Sequence, residues 1–281
     1  MALVGRSSER GAVEACLAAE RHVLLEGPVG VGKTALARDV CEKLARGFIR
    51  VDGDGRYTEG KLVGQFDPPL VLAHGYAAEN FIAGPLVRAM REGAVLFINE
   101  LNRMPEGVQN VLLPAMDEGL LTLPMLGPVR AAPGFAVVAT QNPAEFVATG
   151  ALSEALLDRF ELVRLGHPSA EDEHAIVRQN ARGAPPDVVI ASAVALVRAT
   201  RVDPRIRRGA SVRAAIAIAD LAMQFLGTER GDDHVDDAVG RAGSLALPTR
   251  IELADPLGTP MSGVISTLAR VGGAPLPAKK P

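Results

Sequence analysis

The chain has 281 residues, 48% of them hydrophobic and 22% charged, and a formal net charge of −3. That length holds one large domain or a core domain with a smaller companion, in an ordinary globular balance. The acidic balance argues against a generally basic nucleic-acid surface, and no apolar run approaches the ~20 residues that span a bilayer.

Aromatics make up 4% and Trp is absent, so the core must be built from Ala, Val, Leu and Ile. The start, MALVGRSSERGAVEACLAAE, is charged and amphipathic, unlike a signal peptide. Cys16 and Cys41 show no metal spacing and suit buried thiols, so a cytoplasmic location is expected. Ser7 or Ser8 is expected to cap a first helix running to about Ala19. Residues 22 to 26 (HVLLE) predict a buried strand, and GPVGVGKT follows, matching G-x-x-x-x-G-K-[ST] from Gly27 to Thr34. Leu36, Val40 and Leu44 then recur on one face of a helix.

Each residue type in that loop has a mechanical reason. Gly27, Gly30 and Gly32 let the backbone curl until successive N–H groups converge on a phosphate. The helix start adds its positive dipole end. Lys33 supplies a mobile charge for the outer phosphates, and the Thr34 hydroxyl can ligate Mg²⁺. Gly27, Val29, Gly30, Val31, Gly32, Lys33, Thr34 and Ala35 are therefore the expected nucleotide contacts.

Further along, Gly47 to Val51 predicts a strand, DGDG at 52 to 55 a turn, and Thr58 the cap of a short helix ending near Val63. Two apolar runs around a glycine turn at 66 to 83 suggest a hairpin, and 84 to 92 a short helix. Ala94 to Ile98 is a solid apolar run that suits a central parallel strand, ending in Asn99-Glu100. Polar residues at that end fall where open α/β sheets place their chemistry. Pro105 opens a helix carrying Val108, Val111, Leu112, Ala115 and Met116 at helical spacing. A second hairpin is expected at 120 to 131, and a buried strand at 135 to 140 ends in Gln141-Asn142. Ser153 caps a short helix, and 160 to 165 is the last strand. From about residue 167 the pattern is helical, over 169 to 180, 186 to 200, 209 to 226 and 233 to 246. The third of these, apolar almost all round, should be the centre of a bundle. The expected architecture is a parallel α/β sheet domain over 1 to 166, an all-helical lid over 167 to 272, and a disordered Pro/Gly/Lys tail over 273 to 281.

Glu100, just past a buried strand, can polarise a water for attack on a γ-phosphate, and Asn142 can hydrogen-bond the same water or phosphate. Arg159 either pairs with Asp158 or Glu161 or reaches a neighbouring subunit's nucleotide. Arg213, a cation in the first turn of a helix, favours an anionic ligand.

These motifs together resemble the MoxR-type family of AAA+ ATPases, P-loop nucleoside triphosphatases (NTPases), over about 4 to 247. VLLEGPVGVGKT resembles the Walker A segment, and LFINELNRMPEGVQNVLLPAMDEG the Walker B segment with its helix. ATQNP resembles the sensor 1 strand (Asn142), LSEALLDRFELV the arginine-finger segment (Arg159) and GASVRAA the sensor 2 motif (Arg213). Leu3-Val4-Gly5-Arg6 resembles the box that packs on adenine, which makes Val4 and Gly5 nucleotide contacts. The resemblance implies ATP and Mg²⁺, a homo-oligomeric ring that is usually a hexamer, and a chaperone-like motor acting on a protein client. It also implies a partner carrying a von Willebrand factor A domain, and substrate-facing insertions at 66 to 83 and 120 to 131. The family usually has Asp where this chain has Asn99. An amide oxygen still accepts a hydrogen bond from Mg²⁺-bound water but brings no charge, so weaker Mg²⁺ binding and slow hydrolysis are expected. Three other classes compete: a DNA-directed AAA+ ATPase using the basic cluster at 201 to 209, a switch that barely hydrolyses ATP, and a small-molecule P-loop kinase. Net charge −3 disfavours the first, and the order of Asn142, Arg159 and Arg213 disfavours the last.

Overall fold

The computed structural model describes residues 3–142, 151–228, 235–256 and 260–272. Two compact units divide the chain, 1–166 and 167–281.

In the first unit, α1 (Ser7–Ala18) precedes β1 (His22–Glu26) and α2 (Lys33–Lys43), followed by β2 (Phe48–Asp52) and α3 (Glu59–Val63). Thr58 caps α3 by accepting from the Lys61 N–H. Neither Ser7 nor Ser8 caps α1. The cap position belongs to Arg6, in the left-handed region at φ 64°, and Ser7 is already helical.

The 66–83 stretch is not the expected hairpin of two apolar runs. β3 (Gly64–Phe66) and β4 (Phe81–Ala83) pair antiparallel at its flanks, and PPLVLAH between them forms α4 (Pro68–His74). Asp67 accepts from the Leu70 N–H and Pro68 occupies the first turn, where its missing N–H costs nothing. A cap followed by proline turns that apolar run into a helix.

Then come α5 (Pro85–Glu92) and β5 (Val95–Asn99). The helix expected after Pro105 is two, α6 (Glu106–Asn110) and α7 (Leu112–Asp117). Pro114 lacks an N–H and crowds the carbonyl four residues back, at Asn110, so the helix breaks there. β6 (Leu120–Leu123) and β7 (Gly127–Arg130) form the second hairpin as expected. β8 (Ala136–Gln141), α8 (Glu154–Leu157) and β9 (Phe160–Arg164) complete the unit, with Ser153 capping α8 through the Leu156 N–H.

The five long strands form one parallel sheet in the order β2-β5-β8-β1-β9. Its two faces explain the unbroken apolar runs. Leu96 and Ile98 of β5 enter one core with Leu24, Val137 and Leu86, while Val95 and Phe97 enter the other with Val23, Val138 and Leu36. Both faces are covered, so no residue of β5 before Asn99 meets water.

The second unit contains α9 (Ala170–Asn180), α10 (Asp187–Ala199), β10 (Ile206–Arg208), α11 (Val212–Thr228), α12 (Val235–Ala246), β11 (Glu252–Leu253) and α13 (Met261–Gly272). It is helical but not all-helical, because β10 and β11 pair antiparallel. α11 packs against α9, α10 and α12, burying Ala214, Ala215, Ile218, Ala219 and Ala222. Small residues on that face let three helices approach it. The buried Glu173 of α9 accepts from Arg198 (3.0 Å) and Arg201 (2.6 Å), and Arg201 also donates to the Ala210 carbonyl (2.7 Å). That fork ties α9 and α10 to the residue two before α11. The tail expected to be disordered, 273–281, lies outside the described residues. Among the described residues no helix is long and apolar enough to cross a membrane.

Candidate nucleotide site at the carboxyl edge of the sheet

β1 ends at Glu26, and the loop to α2 is built on positive φ angles at Gly27 (158°), Gly30 (79°) and Gly32 (97°). A Cβ at Gly27 would strike the Leu165 carbonyl oxygen at the end of β9, so only glycine fits there. Val31 is buried and Val29 exposed, which pins one side of the loop to the core and leaves the other open. Lys33 Nζ folds over the loop and donates to the carbonyls of Gly27 (2.5 Å) and Pro28 (3.0 Å). Thr34 and Ala35 follow in the first turn of α2. Arg6 donates to the Val31 (3.2 Å) and Gly166 (2.5 Å) carbonyls, tying the Val4-Gly5 segment to this loop.

Parallel pairing brings the other carboxyl ends alongside. Glu26 is in register with Gln141, and the Gln141 amide donates to its carboxylate (2.8 Å). Asn142, buried, therefore stands beside Gly27. One strand further out, Asn99 ends β5 and Glu100 follows in the left-handed region (φ 57°, ψ 51°), a strained position for a residue with a side chain. The Glu100 N–H donates to Thr140 Oγ1 (2.8 Å), and its carboxylate pairs with Arg103 (3.1 Å). Asn99 donates to Asp52 (3.0 Å). Bidentate hydrogen bonds from Arg50, then the bond from Asn99, hold the Asp52 carboxyl below the usual carboxylate range.

Arg159 lies elsewhere. It precedes Phe160, which is in register with His22 at the amino end of β1. Its guanidinium makes a bidentate pair with Asp117 (2.6 and 2.5 Å) and donates to the Ala155 carbonyl. These bonds lower the Asp117 pKa and raise that of Arg159. The sequence alternatives for Arg159 were Asp158 and Glu161, but the partner is Asp117. Arg213 is exposed in the first turn of α11, in the second unit.

Asp52, Thr140 and Asp117 escaped the sequence reading. The rule that singled out Asn99 and Asn142, a polar residue at the carboxyl end of a buried strand, also points to Asp52. Asp117 has no such local signal.

The donor set suits a magnesium polyphosphate. Turned backbone amides and Lys33 match the phosphates, while the Thr34 hydroxyl and the Asn99 amide oxygen are hard oxygen donors.

The sequence profile of the AAA domain (dynein-related subfamily) matches residues 22–160. The gas vesicle ATPase GvpN2 of Halobacterium salinarum is 34% identical over 239 residues, 79% of this chain and 67% of that protein. Among solved structures, a putative ATPase from Cytophaga hutchinsonii superposes with a TM-score of 0.52 at 23% identity, covering 95% of this chain and 90% of that one. NtrX of Brucella abortus in complex with ADP superposes at 0.59 and 19% identity, covering 97% of this chain and 64% of that one.

Proposed function

The chain belongs to the AAA family of ATPases, and from that premise we propose that it is a MoxR-type motor that couples ATP hydrolysis to remodelling of a partner protein. One observation supports the reading: β1, β8 and β5 are neighbours and parallel, so the phosphate loop after β1, Asn142 after β8 and Asn99-Glu100 at the end of β5 lie along the same edge of one sheet. In this reading the loop amides and Lys33 hold the phosphates, and the Glu100 carboxylate takes the proton of the attacking water as the bond from γ-phosphorus to the ADP oxygen breaks. Asn142 orients that water. Mg²⁺, held by Thr34 and Asn99, would neutralise phosphate charge when bound. Val4 and Gly5 cover the base, and Arg213 is assigned to the phosphates on the sensor 2 resemblance of GASVRAA alone. Arg159 serves the nucleotide of the neighbouring subunit in a ring, taken to be a hexamer.

The client and a von Willebrand factor A partner would meet the two insertions. Leu72, Tyr76 and Ile82 of the β3–α4–β4 segment and Met125 of the β6–β7 turn are all exposed large apolar side chains, which supports a protein-binding role. The free thiols of Cys16 and Cys41 suit the cytoplasm.

The test is a pair of variants. Lys33→Ala should lose most ATP affinity, and Glu100→Gln should keep it while losing hydrolysis. A folded Lys33→Ala protein that binds a fluorescent ATP analogue as well as wild type would overturn the assignment. ATP-trapped Glu100→Gln rings should retain the client in a pulldown. A nucleotide-dependent switch with little turnover is favoured by Asn99 alone. It takes over if wild type and Glu100→Gln are equally inactive at saturating Mg²⁺.

A further inference from the structure

The carboxyl ends of β2, β5 and β8 carry a hydrogen-bond chain that ends on the Asp52 carboxylate from both sides. Arg50 donates to Asp52 (2.7 Å), and Asp52 Oδ1 accepts from Asn99 Nδ2 (3.0 Å). Asn99 Oδ1 accepts from the Thr140 hydroxyl (3.1 Å), which accepts from the Glu100 N–H (2.8 Å). The backbone underneath is equally close. The Gly53 N–H donates to the Asn99 carbonyl (2.7 Å), and a Cβ at Gly53 would collide with the Glu100 carbonyl oxygen.

An asparagine has two unlike ends, and a site that needs an oxygen is served by only one of them. An ionised carboxylate accepts and cannot donate, so the end facing Asp52 must be the NH₂. The amide oxygen is thereby turned toward β8, the side on which β1 and its phosphate loop lie. We propose that Asp52 is the positioning residue of this site, turning the Asn99 oxygen toward the nucleotide and, through Thr140, holding Glu100 in its left-handed conformation. The inference rests on the reading of Glu100 as the water-polarising group. It also changes the meaning of Asn99. An aspartate there would stand about 3 Å from the Asp52 carboxylate, with no donor between them and two like charges in contact. Asn99 is the residue that Asp52 accommodates.

The experiment uses the full chain and two readouts. In hydrolysis assays, Asp52→Leu should lower kcat about fivefold, the worth of one partly exposed hydrogen bond, with KM for ATP unchanged. Asp52 is exposed at the sheet edge, so leucine leaves the core intact. In thermal melts without nucleotide, Asn99→Asp should melt roughly 4 °C below wild type, because two like charges then face each other where a hydrogen bond stood. The mirrored pair Asp52→Asn with Asn99→Asp restores a donor opposite a carboxylate and should recover both the melting point and kcat. Wild-type kcat in Asp52→Leu, or a double variant no more stable than Asn99→Asp, would overturn the proposal. Full hydrolysis by Glu100→Gln would instead remove the water-polarising reading, and the melts would still decide whether Asp52 orients Asn99.

Discussion

Replacing Arg159 by alanine should abolish hydrolysis without weakening nucleotide binding, because this arginine cannot serve its own active site. β9 runs parallel to β1 with Phe160 opposite His22 and Arg164 opposite Glu26. The phosphate loop begins one residue past Glu26, so Arg159 lies more than the length of β1 behind it. At ~3.3 Å per residue, six residue steps separate the two by roughly 20 Å. An extended arginine reaches only about 7 Å from its Cα. Under the proposed reading, the nucleotide Arg159 serves is therefore a neighbour's, and a finger supplied in trans is worth on the order of 10³-fold or more in rate. The assay mixes Arg159→Ala with Glu100→Gln subunits, each inactive alone. With random assembly, about one interface in four joins an intact Glu100 to an intact Arg159. The mixture should thus recover up to about a quarter of wild-type turnover. No recovery in mixed assemblies verified by mass, or full activity in a strict monomer, would refute the reasoning. In that reading the Asp117 pair loosens as the finger engages, so Asp117→Ala should leave ATP binding unchanged while altering turnover in a salt-dependent way.

Three further outcomes are expected. Thr34→Ala should bind ATP normally in EDTA but lose the strengthening that Mg²⁺ brings, measured by titrating a fluorescent analogue with and without the metal. His22 Nδ1 accepts from the Val137 N–H (3.0 Å), so its other nitrogen donates to the Met116 carbonyl (3.1 Å) and the ring stays neutral. Burial lowers its pKa from the ordinary 6.5. The unfolded chain therefore takes up a proton that the fold does not, and stability present above that value is lost as pH falls below it. An NMR titration that finds His22 protonating at or above 6.5 would contradict this. Glu173→Ala leaves Arg201 and Arg198 without their shared carboxylate in the second unit and should cost about 3 kcal/mol in urea denaturation, against less than about 1 if the fork is incidental.

The phosphate loop, the strand leading into it and the helix leaving it could be read from the chain alone because their chemistry is local. A run of glycines, one lysine and one threonine fixes a backbone shape and a charge within eight consecutive residues. β5 and β8 were legible for a related reason: a strand covered on both faces turns polar only near its end, so Asn99 after VLFI and the run Thr140-Gln141-Asn142 after AVVA mark where each strand stops. Local signals misled where two of them competed. At 66–83 apolar content suggested a hairpin, but the Asp67-Pro68 cap committed the run to α4, and after Pro105 helical spacing hid the break at Pro114. The β10–β11 ribbon is too short to show a period, and it pairs residues some 45 positions apart. What only the tertiary structure decided is who stands beside whom. Asp52 and Asn99 are 47 residues apart and Asp117 and Arg159 are 42 apart, and neither pair has a spacing that sequence periodicity records. Strand order and register bring the first pair together and hold Arg159 at the far end of β9, because hydrogen bonds between neighbouring strands, unlike the phosphate loop, join parts of the chain that carry no mark of each other.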